Sequence, residues 1–99
     1  MIVRFTPAAR DDIEDIYRSI ARKNPIAAQQ VEDLIRVTPE RLGLFPGLGA
    51  RLEWENVRRV PLVRYPFTLF YRVMELDHAV EILRVVHDSA VKDLGQLPD

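Results

Sequence analysis

VRRVPLVRYPFTLFYRVMELDHAVEILRVVH, residues 57–87, decides the fold. Its apolar residues fall in three runs: VRRVPLVR (57–64), FTLFYRVM (67–74) and AVEILRVVH (79–87). They are rich in Val, Phe, Tyr and Leu, side chains suited to a pleated surface. Tyr65-Pro66 separates the first two runs, and Glu75-Leu76-Asp77-His78 the last two. Connections this short join antiparallel neighbours. Pro61 removes a ladder donor, which places the first run at an edge or a bulge. In the second run Phe67, Leu69, Tyr71 and Val73 alternate with Phe70 and Met74, so both faces are apolar.

Upstream the period is helical. Residues 2–5, IVRF, read as a short strand stopped by Thr6-Pro7. Thr is a good N-cap and Pro suits the first helical position. Ala9, Ile13, Ile16, Tyr17 and Ile20 then recur on one helical face, which predicts a helix over residues 7–22. Asp11 and Asp12 lie near its positive end. Asn24-Pro25 repeats the start signal, and Ala28, Val31, Leu34 or Ile35, and Thr38 give a second helix its inner face. Pro39 predicts a kink there, or a break followed by a separate short turn over residues 39–43. GLFPGLGA (43–50) is a loop. The element order is β-α-α-β-β-β, an α+β fold with a helical hairpin packed on a twisted, mainly antiparallel sheet. The hairpin covers one sheet face only, so the apolar second face calls for a standing partner or for cover from the tail.

The 99 residues form one domain, with residues 88–99 as a short tail. Formal net charge is −1, so overall attraction to nucleic acid or anionic membrane is weak. The absence of cysteine excludes disulfides, thiol catalysis and Cys-zinc sites. MIVRFTPAARDD is not a signal peptide, and no apolar run is long enough to span a bilayer. A cytoplasmic domain without cofactor or metal is expected.

No phosphate-binding, zinc-protease or nucleophile-elbow motif occurs. The local anomaly is charge: from Asn56 to Val73 stand Arg58, Arg59, Arg64 and Arg72 with no acidic residue, and Arg84 follows on the next run. Arginine forks on strands suit phosphate or carboxylate groups. Arg58, Arg59, Arg72, Arg84 and His87 are therefore candidates for contact with a target. Their bland alternative is packing of the stems along the sheet rim. Whether Arg72 and Arg84 share a face depends on the register of the last hairpin. Ile13, Ile16, Tyr17 and Ile20 face the core and offer a rim to a partner helix. Trp54 is a lid over the core edge or a partner contact, and Phe70 and Tyr71 belong to the doubly apolar strand.

TPAARDDIEDIYRSI, NPIAAQQVEDLI, LFPGLG, VRRVPLVRYPFTLFYRV and VEILRVVH, in that order, resemble the RelE/ParE toxins of bacterial type II toxin–antitoxin modules. The resemblance spans residues 3–88. It implies a cognate antitoxin whose extended segment wraps the toxin, partly acidic to meet the arginines, with Ile13, Ile16, Tyr17, Ile20, Trp54, Phe70 and Tyr71 as its contacts. It implies growth arrest through DNA gyrase (the ParE branch) or through ribosome-dependent mRNA cleavage (the RelE branch). DNA would be met only through the antitoxin. For a ribonuclease the candidates are His87 as acid or base, with Arg58, Arg59 and Arg64 as phosphate clamps. Thr68 and Val63 stand where ribonuclease relatives often carry arginine, and no tyrosine follows Tyr71. The pattern is closer to the ParE branch, a gyrase inhibitor acting by binding. Ala90 replaces an arginine common after the last strand in that branch, which keeps an inactive, antitoxin-binding toxin fold as a further alternative.

Overall fold

The computed structural model describes residues 1–53 and 56–93, with side chains to residue 91. Trp54 lies outside the described residues. The elements are β1 (Ile2–Phe5), α1 (Pro7–Ala21), α2 (Pro25–Leu44), β2 (Ala50–Arg51), β3 (Val57–Pro61), β4 (Phe67–Met74), β5 (Ala79–His87) and a 3-10 turn (Asp88–Asp93). The α+β order and the helix and strand starts agree with the sequence reading, but the first of the three late strands ends at Pro61 rather than residue 64.

Each helix begins as its cap dictates. Thr6 Oγ1 accepts the Ala9 N–H at 3.0 Å, and Asn24 Oδ1 accepts the Ala27 N–H at 3.0 Å, each ahead of a proline. α2 runs through Pro39 to Leu44 without a break, so the separate turn over residues 39–43 does not form. Pro39 forfeits one helical hydrogen bond, but it is buried, and its packing offsets that loss.

The sheet order is β1-β5-β4-β3-β2, with β1 parallel to β5 and the other pairs antiparallel. The helices cover one face. Beneath them Ile16, Val31, Ile35, Leu42, Leu69, Tyr71, Val80, Ile82 and Val85 form the main core. The opposite face carries its own cluster of Val57, Phe70, Leu83 and Val86, covered by Leu52 and by Val91 of the 3-10 turn. The apolar second face is thus closed by the chain itself. β2, two residues long, was not foreseen; it pairs Ala50 with Arg59 and Arg51 with Arg58.

A register shift breaks the β4–β5 ladder: Tyr71 faces Ile82, whereas Phe70 faces Arg84. Leu83 is the extra residue, and such a bulge strands backbone polar groups. The start of α1 meets them. Thr6 N–H donates to the Ile82 carbonyl at 3.1 Å and Thr6 Oγ1 to the Leu83 carbonyl at 2.8 Å. Asp12 Oδ2 accepts the Val85 N–H at 3.0 Å. No helix among the described residues is long and apolar enough to cross a membrane.

Candidate functional site

Between α1 and α2 lies a groove of about 450 Å³. Phe5, Ile13, Ile16, Tyr17, Ala28, Val31 and Ile35 line it, with Arg10, Glu14 and Glu32 at the rim. The helical period of α1 lays Ile13, Ile16 and Tyr17 along one wall, and the small side chain of Ala28 leaves room on the other. Ile16 is buried, Ile13 half-buried, and Tyr17 is 40% exposed. Glu14 and Arg18 form an (i, i+4) ion pair on the outer surface of α1. An apolar trough with charges of both signs on its rim fits an amphipathic helix or an apolar extended segment. Ile20 does not line it; it packs against the main core.

Phe70 and Tyr71, singled out as partner contacts, are both buried. The Tyr71 hydroxyl donates to the Pro46 carbonyl at 2.7 Å and accepts the Gly49 N–H at 2.8 Å. Burial pushes its pKa above the ordinary tyrosine value, against the Gly49 hydrogen bond and the nearby Arg58 charge. Tyr71 therefore holds the 45–49 loop from within.

The arginines divide by task. Arg58 lies opposite Tyr71, and its Nη1 donates to the Gly49 carbonyl at 2.7 Å and the Gly47 carbonyl at 3.4 Å. Arg84 is locked to Asp12 by two hydrogen bonds, Nε to Oδ2 at 2.6 Å and Nη2 to Oδ1 at 2.9 Å. The Asp12 hydrogen bond raises the Arg84 pKa above its ordinary value. Both guanidinium groups serve the fold. Arg72 stands opposite Val57 on one side and Glu81 on the other, so it does not share a cross-strand row with Arg84. Arg59 and Arg64 are exposed. Arg64 sits in the β3–β4 connection with φ 77°, a left-handed conformation costly for a side chain of its size.

His87 is exposed at the end of β5, opposite Phe67, and meets its ring edge-on with centroids 5.4 Å apart. Its Nδ1 accepts the Ser89 N–H at 3.1 Å and lies 2.7 Å from Ser89 Oγ, which leaves Nε2 facing outward. Phe67 packs into the helix-side core, whereas Phe70, the partner of Arg59, packs on the opposite face. Arg59 and His87 thus point to opposite sides of the sheet. Their backbones stand roughly 14 Å apart, two strand spacings across and three residues along. Arg58 shares the face of His87 but is farther along the sheet and committed to the loop. Arg58, Arg59 and His87 are therefore not gathered at one point. Among the described residues no group of three His, Cys, Asp or Glu side chains is placed to hold a metal ion.

The sequence reading missed the Asp12–Arg84 lock and the Tyr71–Arg58 support of the loop. The signal for the second was present: a glycine-rich loop followed by an arginine and a tyrosine on strands. The first links positions 72 residues apart and left no local trace.

The model of a family described as the ParE toxin of type II toxin–antitoxin system, parDE, matches residues 3–92. No curated protein sequence matches the chain. Among solved structures the chain is similar to the chromosomal ParDE toxin–antitoxin system from P. aeruginosa, at 27% identity and a TM-score of 0.75, covering 88% of this chain and 95% of that one. It is similar to the toxin–antitoxin complex RelBE2 from Mycobacterium tuberculosis, at 28% identity and a TM-score of 0.56, covering 87% and 95%. The intact E. coli RelBE complex shares the fold at 14% identity and a TM-score of 0.67, covering 87% and 94%.

Proposed function

Because the chain belongs to the ParE toxin family of type II toxin–antitoxin systems, we propose that it arrests growth by binding DNA gyrase in the cytoplasm and that a cognate antitoxin neutralises it. The observation that carries the gyrase reading is the dispersal of the would-be ribonuclease residues. Cleavage of RNA needs a proton acceptor, a proton donor and cations converging on one phosphate. Here Arg58 binds loop carbonyls, and Arg59 and His87 face opposite sides of the sheet. On this reading the toxin acts by occupying its target.

The antitoxin lays an apolar helix or strand into the α1–α2 groove, with Ile13, Ile16 and Tyr17 as its floor and wall. DNA is reached only through the antitoxin. The experiment is supercoiling by purified gyrase with the toxin added, alone and with its antitoxin. Inhibition relieved by the antitoxin is expected; full supercoiling at saturating toxin overturns the gyrase target. Tyr17→Glu places a charge in the groove. It should weaken antitoxin binding at least tenfold, about 1.4 kcal/mol, while leaving gyrase inhibition unchanged.

A second reading, ribosome-dependent mRNA cleavage, draws support from the 28% identity to the RelBE2 complex and from the outward-facing Nε2 of His87. New mRNA 5′ ends after induction, abolished by His87→Ala, would establish it in place of the first. A third reading, an inactive toxin fold kept for complex formation, rests on Ala90, half-buried in the 3-10 turn. It predicts a stable antitoxin complex together with harmless expression.

A further inference from the structure

After α2 the chain turns through residues 45–49, and this loop is built to hold its shape. Phe45 N–H donates to the Arg41 carbonyl at 2.7 Å and Leu48 N–H to the Phe45 carbonyl at 3.0 Å. The Tyr71 hydroxyl ties Pro46 to Gly49, and Arg58 clamps the Gly49 carbonyl. A side chain at position 49 would stand 2.7 Å from the Arg59 carbonyl and from the Tyr71 ring, so only glycine permits this approach.

The end of α2 and the loop fixed so firmly after it nevertheless turn their largest apolar side chains outward: Leu44 is 75% exposed, Phe45 64% and Leu48 55%. The charges beside them are mainly positive. Leu48 and Arg59 line one cleft, of about 390 Å³, while Pro46, Arg51 and Arg58, with the single carboxylate Glu75, line another, of about 260 Å³. From Phe45 to Val73 the sequence has Arg51, Arg58, Arg59, Arg64 and Arg72 against Glu53 and Glu55. The α1–α2 groove is a different surface: Leu44 lies about 13 Å farther along α2 than Ile35, the last α2 residue lining the groove.

We infer that Leu44 at the end of α2 and the loop bearing Phe45 and Leu48, with Arg59 and Arg51 beside it, form the surface that grips the toxin's target, and that the target offers an apolar patch bordered by carboxylates. The inference rests on the reading that the toxin acts by binding. Rigid apolar anchors lose little entropy on association, and hot spots pair such anchors with arginine. The complementary charge sets partner choice and encounter rate.

The test uses the full chain, prepared with its antitoxin and then separated, carrying Leu48→Ser, Phe45→Ser, Arg59→Gln or Arg59→Glu. Growth arrest is titrated by graded induction, gyrase inhibition by supercoiling, and antitoxin affinity by calorimetry; thermal melts verify that each variant is folded. The serine variants and Arg59→Gln should lose growth arrest at least tenfold while antitoxin affinity stays within twofold of wild type. Arg59→Glu should lose more than Arg59→Gln, since it sets like charge against the target. Folded loop variants with wild-type toxicity overturn the inference, as does a parallel loss of antitoxin affinity. Wild-type activity of Arg59→Glu overturns the acidic character of the target. Growth arrest without gyrase inhibition defeats the gyrase reading alone, because arrest still reports on the loop. A wild-type chain that arrests nothing defeats both.

Discussion

Replacing Asp12 by alanine should be the most damaging single change outside the apolar core. The Asp12 carboxylate accepts three hydrogen bonds: two from Arg84, at 2.6 and 2.9 Å, and one from the Val85 N–H at 3.0 Å. The Asp12 and Arg84 side chains are only 15% and 26% exposed. Removing one partner of a buried pair costs about 3–5 kcal/mol. Arg84 keeps some access to water, which brings the charge loss to the low end of that range or below. The stranded Val85 N–H adds about 1 kcal/mol. The expected cost of Asp12→Ala is therefore about 3 kcal/mol, or about 12–24 °C in Tm for a domain of this size. Asp12→Asn retains an acceptor for Val85 and loses the charge, so it should cost about half as much. Urea denaturation of wild type, Asp12→Ala, Asp12→Asn, Arg84→Met and the Asp12→Asn/Arg84→Met pair isolates the coupling. An Asp12→Ala variant within about 0.5 kcal/mol of wild type would show that the bulge does not depend on α1.

Tyr71→Phe should cost about 1–2 kcal/mol by leaving the Gly49 N–H unpaired, and amide exchange at Gly49 should quicken. Because burial raises the Tyr71 pKa, the fold favours the neutral phenol. Stability should be intact below about pH 10 and fall as pH rises beyond it, and Tyr71→Phe should flatten that decline in thermal melts. Gly49→Ala should destabilise by about 1–3 kcal/mol, since its methyl group meets the Arg59 carbonyl and the Tyr71 ring; an unchanged denaturation midpoint refutes this. Arg64→Gly relieves a left-handed φ and should leave stability equal or raised by about 1 kcal/mol; a clear loss in thermal melts would mean the guanidinium holds the turn.

Most of the architecture was legible because it is written locally. Thr6-Pro7 and Asn24-Pro25 start their helices where a cap and a pre-set φ require. The three late runs carry their own turns. What escaped the sequence depends on residues distant in the chain. Pro39 is tolerated because its burial outweighs a lost hydrogen bond, a balance that no window around it contains. β2 exists only because Arg58 and Arg59 offer it an edge. Both faces of β4 are apolar, as its alternation predicts, but Leu52 and Val91 close the second face over Phe70, and the helices cover Tyr71 on the first, so both are interior residues. The candidate site was legible to the same depth. Ile13, Ile16 and Tyr17 of the α1 stripe line the groove, whereas Arg58 and Arg84, marked by charge, hydrogen-bond to the Gly49 carbonyl and to Asp12.

The parallel pairing of β1 with β5 has a consequence for how the protein is made. Thr6, which caps the first helix, donates to a carbonyl 77 residues later, and β5 lies inside the sheet, between β1 and β4. On the ribosome the helical hairpin emerges long before the strand it must cover. Until then α1 and α2 hold their apolar faces without a sheet beneath them. Contacts of such long sequence separation slow folding, because the loop must close before any of them forms. The fold therefore closes only when residues 79–87 join the sheet, and the apolar faces of the helical hairpin stay open until then.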